Sequence, residues 1–123
     1  MKHLKEIGKF TFINGDIRNQ NDLENVFKKY DLIIGPTTTT TAYNLTDSMD
    51  DPRKSFMDDV LVIPVNMAGL PGLNVPVGFD KDHMPIGLHI IGKAFDEATI
   101  YKLASFIEKE LNLNLEVRGE NND

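Results

Sequence analysis

Apolar residues recur along this chain in two rhythms. At 73–79 (Leu-Asn-Val-Pro-Val-Gly-Phe) and 86–91 (Ile-Gly-Leu-His-Ile-Ile) they form short β-branched runs, which predict strands. Asp80-Lys81-Asp82-His83 between them is turn chemistry, so the pair reads as a hairpin with a loop longer than two residues. Pro76 cannot donate to a ladder and places the first strand at an edge or a bulge. Further on, Ile100, Leu103, Ala104, Ile107 and Leu111 form one stripe at helical spacing. They predict a helix over 96–110 with Asp96 as its cap.

The first half of the chain alternates in the same way. Residues 9–13 (Lys-Phe-Thr-Phe-Ile) predict a strand, and Asn14-Gly15-Asp16 a turn. Leu23, Val26 and Phe27 share one face of a helix over 22–30, capped by Asn21 or Asp22. Leu32-Ile33-Ile34 reads as a short buried strand ended by Gly35-Pro36. Residues 37–52, with threonine at every position from 37 to 41, read as a polar loop. Phe56, Met57, Val60 and Leu61 predict a helix over 54–63. Pro64 suits the first turn of a second short helix, over 65–70, because its missing N–H is not needed there. Residues 118–123 form a polar end. The order strand, helix, strand, helices, hairpin, helix is a mixed α/β pattern, in which the hairpin, the helix from 96 and the strand at 32 should pack together.

Composition narrows the function. The 123 residues suffice for one compact domain, and 41% hydrophobic with 26% charged residues argues against wholesale disorder. The absence of cysteine excludes disulfides, zinc–thiolate sites and a cysteine nucleophile. A net charge of −6 opposes a phosphate backbone, so no direct nucleic-acid contact is expected. No apolar run approaches the roughly 20 residues of a membrane helix, and Met1-Lys2-His3-Leu4-Lys5-Glu6 has no apolar signal core behind it. A cytoplasmic protein without membrane contact is the expectation. His3, His83 and His89 are too scattered for a local metal motif, and Asp80 and Asp82 read as turn residues, so neither a metal site nor a cofactor is assigned.

Three segments carry a resemblance. Tyr30-Asp-Leu-Ile-Ile-Gly-Pro-Thr-Thr-Thr-Thr-Thr-Ala-Tyr43 resembles the amidase-signature family, in which a strand ends in a Gly-Pro-Thr element. Asp59-Val-Leu-Val-Ile-Pro-Val-Asn-Met-Ala-Gly-Leu-Pro-Gly-Leu-Asn-Val-Pro-Val-Gly78 is similar to the branch formed by the A subunits of the aspartyl/glutamyl-tRNA amidotransferases. Pro85-Ile-Gly-Leu-His-Ile-Ile-Gly-Lys-Ala-Phe-Asp-Glu97 continues the match. The resemblance implies a partial amidase-signature fold, a mixed β-sheet with a hairpin and flanking helices. Residues 23–113 would be the C-terminal part of the amidase-signature domain, 1–22 an atypical strand–turn segment and 114–123 a polar tail.

For function the resemblance implies release of ammonia from glutamine, within an ATP-dependent ligase assembly whose B and C subunits are the partners and which amidates misacylated Glu-tRNA(Gln) or Asp-tRNA(Asn). The family's catalytic residues are a lysine and two serines that activate one another in a Gly-Ser-rich core. No Gly-Gly-Ser-Ser-Gly-Gly occurs in these 123 residues. Ser48, Ser55 and Ser105 lack the glycine-rich setting of an exposed nucleophile, so no catalytic residue is assigned. The resemblance gives one substrate-binding residue: Asp59 matches the aspartate that contacts the α-amino group of bound glutamine. Asp58 beside it reads as structural.

Phe10-Thr-Phe-Ile-Asn-Gly-Asp-Ile-Arg18 and the segment that follows, over 9–28, resemble a strand–helix element of sugar-nucleotide epimerases, with Asp16 where an aspartate lies near the cofactor's adenine. The glycine-rich turn that would cradle a pyrophosphate is missing, so no NAD binding is assigned. Two alternatives stand beside a catalytically silent amidase segment: an interaction module that completes a split amidase, and a small nucleotide-binding α/β domain.

Overall fold

In a computed structural model that describes residues 16, 19–44 and 52–115, seven elements follow one another. They are α1 (Gln20–Phe27), β1 (Leu32–Pro36), α2 (Pro52–Asp59), α3 (Ile63–Met67), β2 (Gly72–Phe79), β3 (Pro85–Gly92) and α4 (Glu97–Leu111). The side chains of Lys54 and Ser55 are outside this description, as are the strand expected at 9–13, most of the turn after it and the polar end beyond 115.

The hairpin forms as its β-branched runs require. β2 and β3 pair antiparallel, β1 pairs antiparallel with β3, and the sheet order is β1-β3-β2. β3 is therefore the central strand. Pro76 satisfies both of its expected placements: β2 is an edge, and the register slips between Pro76 and Gly78. The loop is held by Asp80, whose carboxylate accepts the N–H groups of Asp82 (2.8 Å) and Met84 (2.9 Å). His83 takes the left-handed conformation there, φ 60°.

Alternation along the strands sends Leu73 and Val75 of β2, with Leu88 and Ile90 of β3, to one sheet face, and α4 lays its stripe there. Val75, Ile90, Ile100 and Ala104 form the buried cluster, and Leu32, Leu103 and Ile107 pack around it. Ile90 is fully buried. Burying a side chain of this size contributes about 1.5–3 kcal/mol. Gly92 lets the helix approach, since a Cβ there would lie 2.8 Å from Ile100 Cδ1. α4 ends at Asn112 in the left-handed conformation, φ 41°. Leu111, predicted to complete the stripe, is exposed and outside the cluster.

Several local expectations differ from the structure. Asn19, rather than Asn21 or Asp22, caps α1 by accepting the Asn21 N–H at 3.0 Å. Asp96 holds the N-cap position of α4 as expected, but its carboxylate accepts no helix N–H; both oxygens accept from the Thr99 hydroxyl, at 2.8 Å. The helix expected over 54–63 stops at Asp59 and restarts at Ile63, because Pro64 can supply no N–H and fits only an opening turn. α3 in turn ends at Met67, with Ala68 as its C-cap and Gly69 beyond it at φ 67°. The strand at 32–34 is not buried: Ile34 is 59% exposed, since β1 borders the sheet and no described element covers that position.

Candidate functional site

The threonine segment is a strap sewn to three other parts of the molecule. Thr37 extends β1, with its N–H 3.4 Å from the Gly87 carbonyl, and its hydroxyl donates to Asn74 Oδ1 on β2. Thr41 Oγ1 donates to Asp80 Oδ2 at 2.6 Å, in the hairpin loop. Tyr43 Oη donates to Asp58 Oδ2 at 2.5 Å, on α2. The partners lie 37, 39 and 15 residues apart in sequence, so no local pattern announces them. The described part of the segment is a loop as expected, and Thr37, Thr41 and Tyr43 are its fastenings, while the Thr38 hydroxyl bonds within it, to the Thr40 carbonyl.

Asp58 and Asp59 close α2, where the last carbonyls give a helix its negative end and no basic residue stands in the last turn. Asp59 is exposed, and its carbonyl accepts the Val62 N–H at 3.0 Å. The Asp58 carboxylate, accepting the Tyr43 hydroxyl, holds that phenol above its ordinary pKa; desolvation and the charges of Asp58 and Asp59 add to the effect. Asp80 is held below the usual carboxylate range, first by the Thr41 hydroxyl and then by the backbone N–H of Met84. Its Oδ1 accepts both N–H groups of the loop, as a turn residue's should, while Oδ2 accepts from the Thr41 hydroxyl of the strap.

The remaining expected residues do not converge on a site. Ser105 is exposed on α4, while Ser48 and the Ser55 side chain are outside the described residues. His89 is buried on the sheet face opposite α4, opposite Gly35 and Asn74 in register, and His83 sits in the hairpin loop. His3 lies outside the description. Among the described residues no three His, Cys, Asp or Glu side chains are grouped to hold a metal, and no helix is long and apolar enough to cross a membrane. Asp16 is joined to the start of α1: its N–H donates to Asp22 Oδ2 at 3.1 Å, and its carbonyl accepts the Asn19 N–H at 2.9 Å. An open apolar groove is lined by Leu23 and Phe27 of α1, Ile63 and Met67 of α3, and Leu70.

Comparison with known proteins places this arrangement. The family model described as Amidase matches residues 13–101, which includes Asp16 and the whole strap. The A subunit of glutamyl-tRNA(Gln) amidotransferase from Bacillus thuringiensis (strain Al Hakam) is 54% identical over 90 residues, 73% of this chain and 19% of that protein. The Bacillus cereus (strain B4264) protein of the same name matches equally. The crystal structure of the A subunit of glutamyl-tRNA(Gln) amidotransferase from Thermotoga maritima superposes with a TM-score of 0.70 at 35% identity, over 76% of this chain and 20% of that one. The 6-aminohexanoate cyclic dimer hydrolase complexed with substrate shares the fold, with a TM-score of 0.66 at 24% identity, over 76% of this chain and 22% of that one. A three-stranded antiparallel sheet with flanking helices, matched in this way, is a partial amidase-signature fold. The chain belongs to the amidase family. It spans about one fifth of the length of the relatives it matches.

Proposed function

We propose that residues 23–113 are the C-terminal part of an amidase-signature domain of the kind found in amidotransferase A subunits, with residues 1–22 and 114–123 as flanking segments. The observation that carries this reading is the 54% identity over 90 residues to proteins named as the A subunit of glutamyl-tRNA(Gln) amidotransferase. In that role the segment serves a cytoplasmic, ATP-dependent complex in which glutamine is the ammonia donor and the B and C subunits are the partners. Asp59 receives the α-amino group of glutamine. A carboxylate at the negative end of a helix, with no cation in its last turn, suits an ammonium, and the pair gains strength once the rest of the domain excludes water. These 123 residues perform no hydrolysis alone, because they contain no Gly-Ser-rich core to activate a hydroxyl.

The test is ammonia release from glutamine, measured on the purified chain and again after co-expression with the remainder of a family member. The first should be silent and the second active. In the active assembly, Asp59→Asn should raise KM for glutamine by about a hundredfold. Serine-dependent ammonia release by the chain alone would overturn the reading.

A second reading, a non-catalytic module that completes a split amidase, is favoured by the uncovered Ile34 on an open sheet edge and by Met67, which is 83% exposed beside the apolar groove. Co-purification of the chain with its complement, without gain of activity, would select it. The small nucleotide-binding domain is tested by titration with NAD, which should show no binding at millimolar concentration.

A further inference from the structure

Helix α2 has no buried residue among its described side chains, so packing alone does little to fix its direction. The strap beside it is well fixed, with Thr37 bound to Asn74 on the sheet and Thr41 bound to Asp80 in the hairpin loop. Two residues past Thr41, the Tyr43 hydroxyl meets the Asp58 carboxylate, next to Asp59 in the last turn of α2. We propose that Tyr43 is a positioning residue for substrate recognition: its bond to Asp58 fixes the end of α2 and aims the Asp59 carboxylate at the ammonium group of an amino-acid amide. This rests on the reading of Asp59 given above.

The choice of donor matters. A lysine or arginine bound to Asp58 would also anchor it, but its charge would cancel the negative potential that an incoming ammonium needs. A phenol hydroxyl satisfies Asp58 and adds no charge. The raised pKa of Tyr43 fits this arrangement: the phenol stays protonated, hence a donor, and it feels the charges of both carboxylates. A hydrogen bond to a charged acceptor is about twice as strong as a neutral one, which suits a tether to a helix with no buried residue among its described side chains.

The experiment uses the active co-expressed assembly and two substrates, glutamine and glutaramate, the second lacking the α-amino group. Tyr43→Phe should raise KM for glutamine about tenfold, leave kcat within about twofold and leave KM for glutaramate unchanged. Asp58→Ala should do the same, the Tyr43→Phe/Asp58→Ala pair should be no worse than either alone, and Asp58→Asn, which keeps an acceptor, should recover part of the loss. An equal change for both substrates would mean general support of the fold and overturn the proposal. An effect of Asp59→Asn without one of Tyr43→Phe would overturn it while sparing the reading of Asp59. No effect of Asp59→Asn would end both. In the chain by itself, Tyr43→Phe should speed amide hydrogen exchange over 56–62. Unchanged exchange there would overturn the proposal whatever the assembly does.

Discussion

Thr37, just past the end of β1, and Asn74 on β2 flank the central strand from its two sides, yet their side chains are hydrogen-bonded to each other across it. They can meet because Gly87 lies between them with no side chain. A Cβ at that position would stand 2.9 Å from Thr37 Oγ1 and would collide with the Asn74 amide. Gly87→Ala should therefore break the contact and push the strap away from β3, destabilising the chain by about 1–3 kcal/mol. Urea denaturation checks this: the midpoint should fall while the m-value holds.

Asp80 links stability to pH at the acid end. The Thr41 hydroxyl and the backbone N–H groups of the loop lower its folded pKa below the ordinary 3.8. The unfolded state therefore binds the proton more readily. The stabilisation is complete above the unfolded value and is lost as pH falls through the lower folded one. Asp80→Asn should remove this slope. Denaturation midpoints measured below about pH 4 should decline less steeply in the variant than in the parent chain.

His89 acts in a different window. Burial pushes its imidazole below the ordinary 6.5. The folded chain favours the neutral ring, so its contribution is complete above that value and declines as pH drops from there through the folded pKa. His89→Gln keeps a polar side chain of similar reach but cannot titrate. Midpoints of the variant should be flat where those of the parent slope, between pH 6.5 and the onset of the carboxylate region.

The exposed edge of β1 should drive self-association. Ile34 offers an apolar side chain on a strand whose outer backbone groups no other described strand engages. Sedimentation should show a species heavier than the monomer at high concentration. Ile34→Lys should shift it to monomer with a change in unfolding free energy within about 0.5 kcal/mol, as expected for an exposed position.

The parts of the fold legible in the sequence were those set by periodicity and by the special chemistry of proline and glycine. The stripe from Ile100 to Ile107 marked α4, the two β-branched runs marked the hairpin, Pro76 marked an edge with a bulge, and Pro64 opened a helix. Errors arose where neighbours in space decided the outcome. Asp96 stands at the cap of α4 but bonds the Thr99 hydroxyl rather than a backbone N–H, and Ile34, expected to be buried, lies at the border of the sheet. The strap was illegible for the same reason: a threonine seeking a partner 37 residues away leaves no trace in its own surroundings. Asp59 stands out through resemblance rather than spacing, whereas the bond that anchors its neighbour Asp58 comes from Tyr43, 15 residues away, and leaves no local pattern.

The two borders of the sheet are unlike. On β2, Pro76 removes a donor and the slipped register bends the strand, so that side resists a new neighbour, while β1 on the other side accepts one. Among the described strands only that margin is receptive, so pairing there joins two copies edge to edge. Association along that margin is expected to close at two partners.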